Sequence, residues 1–405
     1  MDLGALQAEA SGMTAAQQAM SVIGNNIANI NSTAYREQGA IFGELYNQAL
    51  LGAAAPTKAL GARNPIVLGS GATLLGEQVN TAQGSITNTG NPTDMAITGH
   101  GFFVLDSHGA PEYTRNGAFS LSANGSLVAS TGQRVMGYMA KSGVLPAAGA
   151  GTLQDITVPT TAVSAPSATT TASVSGNLDA GATSPVVVQG TVYDAQGNAI
   201  DLQVTFTPPT SSGGAWSWAA TSPSGATGSG TVTFTSSGAY ASSTGGPITV
   251  PGSNGAPTVT ITPNASGLTQ YAASTSADMT KQNGYPSGQP SSISVTTSGV
   301  VQVHYSNGQT SPVAQVAMAT FPNSQGLSGG TSGVYRQSAA SGSANIGVPG
   351  SGGRGSIAPD SLEGSNVSLT QQFSQLIAVQ HDYAANAQAM SAESLMLNAL
   401  TAVQV

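Results

Sequence analysis

The sequence has no cysteine and very little charge or aromatic character. The absence of cysteine excludes disulfide bridges and thiolate metal sites. Only 6% of the residues are charged and 5% are aromatic, so one large, dense core is not expected, and several small β-rich units are. The net charge of −8 and the absence of a basic cluster argue against nucleic acid as a partner.

Long apolar runs are also missing. No stretch approaches the roughly 20 apolar residues that a membrane span needs, so no membrane insertion is expected. The segment Met1–Asn29 has neither a basic start nor a continuous apolar run, which argues against a cleaved signal peptide. Export would then need a route that is independent of such a signal.

Both ends of the chain instead show apolar residues at heptad spacing. In the N-terminal segment the stripe comprises Leu6, Met13, Met20, Ile23 and Ile27. In the C-terminal segment it comprises Leu369, Phe373, Leu376, Tyr383, Met390 and Leu397. These stripes predict two helices that pair as a coiled coil, although packing of each stripe onto the chain's own globular domain is an alternative. Their polar faces carry few charges, which favours burial against other subunits.

Between the ends the periodicity changes from helix to strand. Apolar residues alternate with polar ones from Ile200 to Phe206, and a similar alternation runs upstream from Val186 to Val192. The segment Tyr193–Asn198 joins the two runs and contains Gly197, which can adopt a positive φ. We therefore predict a β-hairpin at this position.

The pattern predicts an α+β fold with N- and C-terminal helices and two mainly-β domains, the second inserted in the first. Shifts in composition give the boundaries. The expected spans are an N-terminal helix and linker (1–64), an inner β domain in two pieces (65–145 and 281–360), an inserted outer β domain (146–280) and a C-terminal helix (361–405).

No arrangement of residues typical of catalysis, cofactor binding or metal binding is found. The four histidines are scattered, and none shows the i, i+4 spacing of a helical metal pair. Asp94 and Glu112 could be imagined as the paired carboxylates of a glycosidase, but we interpret them as a turn residue and a surface charge. A non-enzymatic protein without a cofactor or metal is expected.

Four segments carry a resemblance to a known family. They are 25–36 (NNIANINSTAYR), 89–103 (TGNPTDMAITGHGFF), 113–119 (YTRNGAF) and 362–367 (LEGSNV). In this order they resemble the signatures of the bacterial flagellar rod and hook proteins. The family usually has glycine where this chain has Ala34, so we expect no positive φ there.

The resemblance implies a structural subunit that self-assembles into a helical polymer of the bacterial flagellum. Length and the insert favour the hook, a flexible tube that acts as a universal joint between rod and filament, over a distal-rod-type subunit. A secreted β-rich adhesin is a further alternative.

The resemblance also implies partners and a location. The partners would be other copies of the chain, the distal rod protein, the hook cap, the hook–filament junction protein and the flagellar type III export apparatus. The protein would lie outside the cell, in the hook attached to the basal body. The amides of Asn25, Asn26 and Asn29 would bond to neighbouring subunits or to backbone at the end of the first helix; a solvated helix face is the alternative.

Overall fold

The computed structural model describes residues 3–45, 47–51, 66–147, 151–211, 213–252 and 254–403. Parts of the predicted linker (52–64), the predicted start of the inner β domain (65) and residues 148–150, near the predicted start of the insert, lie outside the described residues.

The two terminal helices are α1 (Leu3–Ala28) and α2 (Leu369–Val403). Neither contains proline, so each backbone ladder continues without the lost hydrogen bond that proline causes. This confirms the prediction of a helix at each end. Among the described residues, neither helix combines the length and apolarity needed to cross a lipid bilayer.

Among the described residues between the helices there are thirty strands, and two short 3-10 turns lie at Ser324–Gly326 and Thr331–Gly333. The first twelve strands are β1 (Gln38–Glu44), β2 (Asn47–Leu51), β3 (Ile66–Gly69), β4 (Ala72–Val79), β5 (Ile86–Asn88), β6 (Met95–Thr98), β7 (Phe102–Ser107), β8 (Ala110–Thr114), β9 (Phe119–Leu121), β10 (Leu127–Ala129), β11 (Arg134–Met139) and β12 (Leu153–Asp155). The next nine are β13 (Thr171–Asn177), β14 (Val186–Tyr193), β15 (Ala199–Thr207), β16 (Trp216–Thr221), β17 (Ser229–Phe234), β18 (Tyr240–Gly245), β19 (Ile248–Val250), β20 (Val259–Thr269) and β21 (Asp278–Gln282). The last nine are β22 (Pro290–Val295), β23 (Val300–Tyr305), β24 (Thr310–Val316), β25 (Met318–Thr320), β26 (Ser328–Gly329), β27 (Val334–Arg336), β28 (Asn345–Gly347), β29 (Ser356–Pro359) and β30 (Ser361–Glu363).

The described residues fold into two compact units. The first lies within Met1–Val158, Ile293–Gln302 and Pro312–Val405, and the second within Pro159–Ser292 and Val303–Ser311. The domain spans expected from composition, with boundaries at 146 and 280, stay predictions.

The first unit contains both helices and the main part of a large sheet in the order β22-β23-β24-β11-β7-β8-β27-β26, with shorter strands branching from it. Val104, Tyr113 and Phe321 lie in its buried apolar cluster, where the two rings pack edge to face with centroids 4.8 Å apart. Two smaller pairings involve the C-terminal segment that leads into α2: β29 pairs with β6, and β30 pairs with β5. Residues just before α2 are therefore fixed by strands close to the start of the chain.

The second unit has a five-stranded sheet, β14-β15-β16-β17-β18, and a four-stranded sheet, β19-β20-β13-β21. One apolar cluster takes side chains from both sheets, with Phe206 and Trp218 from the first and Ile261 from the second. The predicted hairpin is confirmed, because β14 and β15 pair antiparallel from Val186 to Phe206 and Gly197 has a φ of 83°.

Candidate functional site

The two terminal helices pack against each other and run antiparallel. Asn26, near the end of α1, bonds to Gln372, near the start of α2. Gly12, almost four turns earlier in α1, lies against Asn386, further along α2. A Cβ atom at Gly12 would lie 2.9 Å from Asn386 Nδ2, so glycine permits this close approach.

On α1 the buried apolar side chains include three alanines. Ala15, Ala16 and Ala19 are buried, as are Val22 and Ile23. The other members of the predicted stripe, namely Leu6, Met13, Met20 and Ile27, are only half-buried. The buried face of α1 therefore shares Ile23 with the predicted stripe and otherwise lies beside it. Small side chains on this face let the helix approach its neighbours closely.

On α2 the predicted stripe splits into two groups. Leu376, Tyr383, Met390 and Leu397 are half-buried along one line of the helix. A second line, also at seven-residue spacing, is largely polar: Gln372, Val379, Asn386 and Glu393. Leu369 and Phe373, by contrast, are 41% and 47% exposed, and Ile377 is 56% exposed. The predicted stripe therefore included the exposed Leu369 and Phe373 and omitted the polar line.

Asn26 is buried and makes hydrogen bonds through both ends of its amide. Its Nδ2 donates to the carbonyl of Gln38 (2.8 Å) and to Oε1 of Gln372 (3.0 Å). Its Oδ1 accepts from the backbone N–H of Gln38 (2.9 Å) and from the hydroxyl of Tyr35 (3.1 Å). An amide satisfied on all sides fixes α1, α2 and β1 in one register, because an unpaired buried group costs about 1–3 kcal/mol.

The other two predicted asparagines act locally at the end of α1. Asn29 Nδ2 donates to the carbonyl of Asn25 (2.9 Å), and Asn29 Oδ1 accepts from the hydroxyl of Ser32 (2.9 Å). Asn25 Nδ2 contacts Oε1 of Gln38 at 3.5 Å, the long limit for a hydrogen bond. These contacts lie within one chain, and contact with neighbouring subunits stays a prediction.

Glu37 and Asn366 extend the polar contacts around Asn26. Gln372 Nε2 donates to Oε1 of Glu37 (2.7 Å). The backbone N–H of Glu37 donates to Oδ1 of Asn366 (2.7 Å), and Asn366 Nδ2 donates to the carbonyl of Ala82 (2.8 Å). The entry to α2 and the exit from α1 are thus held by the same group of side chains.

A buried ion-pair triad lies next to this group. Glu363 has a fully buried side chain that accepts from Arg36 Nη2 (2.8 Å) and from Arg115 Nε (2.9 Å). Both arginine side chains are only 7% exposed. Burial lowers the pKa of Arg36, and the charge of Arg115 lowers it further. Removing one member of such a buried pair costs about 3–5 kcal/mol.

We call the residues Asn26, Arg36, Glu37, Arg115, Glu363, Asn366 and Gln372 the junction. Its charged members were not among the residues predicted from the sequence. A signal was available, because Arg36, Arg115 and Glu363 each lie within a segment that carries the family resemblance, in a chain where only 6% of residues are charged.

Ala34 overturns one expectation. Its φ is 56°, in the left-handed region that we expected it to avoid. Ala34 is buried, and its N–H donates to the carbonyl of Glu363 (2.8 Å). This contact joins the exit of α1 to β30, and such tertiary contacts hold a non-glycine residue in a conformation that it would otherwise disfavour.

Glu112 also differs from its interpretation as a surface charge. Its side chain is only 5% exposed, and Oε1 accepts from Arg336 Nε at 2.8 Å. Asp94 is buried too and accepts from the hydroxyl of Thr89 (2.7 Å), which fits a residue that shapes a turn. Neither carboxylate contacts the other in these hydrogen bonds.

Two acidic residues face each other on the helix pair. Burial raises the pKa of Glu9 on α1, and the charge of Glu393 on α2 raises it further. Glu9 Oε2 is buried and has no hydrogen-bond partner within the described part of the chain. No cluster of three or more potential metal ligands occurs among the described residues.

Comparison with known proteins matches four parts of the chain to flagellar families. Residues 6–36 match "Flagella basal body rod protein", and residues 96–177 match "Flagellar hook protein FlgE/F/G D1 domain". Residues 167–285 match "Flagellar basal body protein FlaE D2 domain", and residues 358–403 match "Flagellar basal body rod FlgEFG protein C-terminal".

Whole-length relatives agree with these matches. The flagellar hook protein FlgE of Salmonella typhimurium is 33% identical and the alignment covers 96% of this chain and 97% of that protein. FlgE of Treponema pallidum is 31% identical, with 97% and 98% covered. A crystal structure of Helicobacter pylori FlgE2 covers 68% of this chain and all of that chain, at 16% identity and a TM-score of 0.48. On the whole-length identity and the four matched segments, the chain belongs to the flagellar hook protein family.

Proposed function

We propose that this chain is a structural subunit, and not an enzyme, that self-assembles into the flagellar hook and serves there as part of the joint between rod and filament. Family membership over the whole length supports this role. The relatives that span the chain carry the name of hook protein, which does not favour a distal-rod-type subunit or a secreted adhesin.

The observation that carries the proposal is an apolar line on the outer side of α2. Leu369, Phe373 and Ile377 are spaced four residues apart, so they lie on one side of the helix. They are between 41% and 56% exposed, although α2 is anchored at its start by the junction. An apolar line on a firmly held helix fits contact with a further copy of the chain.

In this proposal α1 and α2 pair as an antiparallel coiled coil at the inner core of the tube. The heptad-spaced lines on α2 and the close approach at Gly12 support that pairing. The residues of the predicted stripes, together with Asn25, Asn26 and Asn29, are the proposed subunit-interaction and helical-core residues, and Asn26, whose amide is fully bonded within the chain, acts in the core. The second unit would be an inserted domain on the outside, where charge-poor, polar contacts can slide as the tube bends.

The remaining partners follow from family membership and are part of the proposal. They are the distal rod protein, the hook cap, the hook–filament junction protein and the flagellar export apparatus. Export without a cleaved signal peptide would place the protein outside the cell, in the hook attached to the basal body. Its terminal helices would order fully only on assembly, since isolated helices gain too little to offset the cost of ordering.

Electron microscopy of cells that lack the gene tests the role. Such cells should have rods without hooks or filaments, and the wild-type gene should restore both. The double variant Phe373→Gln, Ile377→Gln should be produced and exported but should not restore hooks. The matched control, Gln371→Ala with Gln375→Ala, changes exposed residues of the same helix turns and should restore them. Hooks on cells without the gene would contradict the role itself.

A further inference from the structure

A wide cavity opens beside the buried triad in the first unit. Its volume is about 790 Å³, and its walls include Arg36, Arg115, Asn80, Gln83 and Tyr335. The cavity therefore brings two guanidinium groups together with amide and phenol groups. These are the side chains that proteins use to hold oxyanions.

The charges in the triad do not balance. Arg36 and Arg115 share one carboxylate, that of Glu363, which leaves one positive charge in excess where both arginine side chains are only 7% exposed. A buried charge without a counter-ion is strongly unfavourable. The imbalance stands out in a chain whose net charge is −8.

Arg115 is almost fully engaged by the protein. Its Nη1 donates to the carbonyls of Gly99 (2.9 Å) and Gly101 (2.8 Å), and its Nη2 donates to the carbonyl of Ile97 (3.1 Å). Together with the bond from Nε to Glu363, four of its donor contacts are made within the fold. Arg115 thus contributes charge to the cavity and few free hydrogens.

Arg36 makes fewer hydrogen bonds than its guanidinium group allows. Among the described residues its Nη1 donates to the carbonyl of Ala82 and its Nη2 to Glu363. A guanidinium has five N–H groups, so about three remain on Arg36 after these two bonds. Arg36 also forms part of the cavity wall.

The carboxylate of Glu37, the next residue after Arg36, makes its hydrogen bonds to other side chains. Glu37 accepts from Asn80 Nδ2 (2.9 Å) through Oε2 and from Gln372 Nε2 (2.7 Å) through Oε1. The hydroxyl of Tyr335 lies within the field of both arginines, whose charges oppose the rise that burial causes in its pKa. The cavity thus offers free N–H groups on Arg36, and Glu363, the carboxylate bound to both arginines, balances only one of their two charges.

We propose that this cavity binds an oxyanion, a carboxylate or a phosphate, held by the free N–H groups of Arg36 and by the excess charge of the triad. The oxyanion could be a free ion or an acidic side chain of a second copy of the chain. Both sources share the same chemistry, and the experiment below separates them. The free-ion arm does not depend on the proposed assembly.

The first arm measures thermal unfolding of the unassembled full-length chain in phosphate and in chloride at equal ionic strength. At about ten times the dissociation constant, phosphate should raise the unfolding midpoint by about 3 °C over chloride. The variant Gln325→Glu places a carboxylate on an exposed residue of the cavity wall and should raise the midpoint in chloride while abolishing the phosphate effect. The control Gln189→Glu, an exposed residue of the second unit, should do neither.

The second arm measures the rate of polymerisation under the same two salts. If a second copy supplies the carboxylate, phosphate and Gln325→Glu should each slow polymerisation several-fold, because they occupy the cavity first. If the ligand is a free ion, the rate should match that in chloride while the midpoint still rises. The proposal is overturned if phosphate changes neither midpoint nor rate and Gln325→Glu behaves as Gln189→Glu does.

Discussion

The junction and the core of the second unit are built on opposite principles. In the second unit, strands from two sheets enclose one apolar cluster that includes Leu202, Trp216 and Ile261. At the junction, α1 and α2 are held by hydrogen bonds and by a buried triad centred on Glu363. Apolar burial is non-directional and tolerates small shifts, whereas a polar network specifies one geometry and fails when a member is lost.

The contrast fits a division of roles. A unit with its own apolar core can remain folded while its surroundings change, as the proposed sliding of the second unit would require. In the proposed assembly, the helix pair with its half-polar seam and exposed apolar line would be stabilised by the junction and by further copies. The junction would then set the direction in which the proposed assembling surface points.

The largest loss of stability in the first unit is expected from a substitution of Glu363. Glu363→Ala would leave Arg36 and Arg115 buried without their shared carboxylate, so we expect a loss of about 3–5 kcal/mol. Both tryptophans, Trp216 and Trp218, belong to the second unit, so their fluorescence reports that unit alone. The helical signal in circular dichroism should melt earlier while the tryptophan transition is unchanged.

The exposed pair of Arg134 and Asp155 provides the control. Arg134→Ala should cost less than about 1 kcal/mol, because an exposed ion pair is screened by water. Equal losses from Glu363→Ala and Arg134→Ala would show that the triad does not hold the junction.

The converse change lies in the second unit. Leu202→Ala removes a fully buried side chain and should destabilise that unit by about 2–5 kcal/mol. Here the tryptophan transition should move to lower denaturant concentration while the helical signal is retained. Leu75→Ala, at an exposed leucine of the first unit, should leave the tryptophan transition in place. Coupled movement of both signals would argue against two separately stabilised regions.

A smaller effect is expected at Ala34, where the sequence departs from the family's usual glycine. A left-handed backbone costs an L-residue roughly 1–2 kcal/mol, so Ala34→Gly should stabilise the first unit by about 1 kcal/mol. Ala378→Gly, at an exposed position inside α2, should instead destabilise by about 1 kcal/mol. Denaturant unfolding, followed by the helical circular dichroism signal, measures the stability change of both variants. A loss of stability in Ala34→Gly would contradict backbone strain at this position.

The smallest expected effect concerns Glu9. Its pKa in the folded chain is raised above the ordinary value of 4.5, so the folded state loses stability as the pH rises through that raised value. Glu9→Gln should therefore be more stable than the wild type at neutral pH, and the difference should vanish in acid below the ordinary value. Unfolding followed by the helical circular dichroism signal, at pH values from about 3 to about 8, tests this. Glu44→Gln, at an exposed acid of β1, should show no such gain.

The sequence predicted the regular parts of the molecule well. The alternation from Ile200 to Phe206 predicted β15 because only one side of that strand is buried. The heptad spacing predicted α1 and α2, since a helix places every seventh residue on one side.

The junction could not be predicted in the same way. Glu363 meets Arg36 across 327 positions and Arg115 across 248. No local period links residues so far apart, and their pairing is decided by the tertiary fold. The polar line through Gln372 and Glu393 was not predicted for another reason, because a helix seam was expected to be apolar. The conformation of Ala34 was not predicted because a tertiary contact overrides its local preference.

The most direct test of the central claim is an electron cryomicroscopy reconstruction of the tube assembled from the full-length chain. The claim is that the junction presents the outer side of α2 to other copies. The reconstruction should show Leu369, Phe373 and Ile377 buried against a neighbouring subunit, with the junction contacts intact within each chain. A tube in which these three side chains still face solvent, or in which α2 has left Asn26 and Glu37, would contradict it.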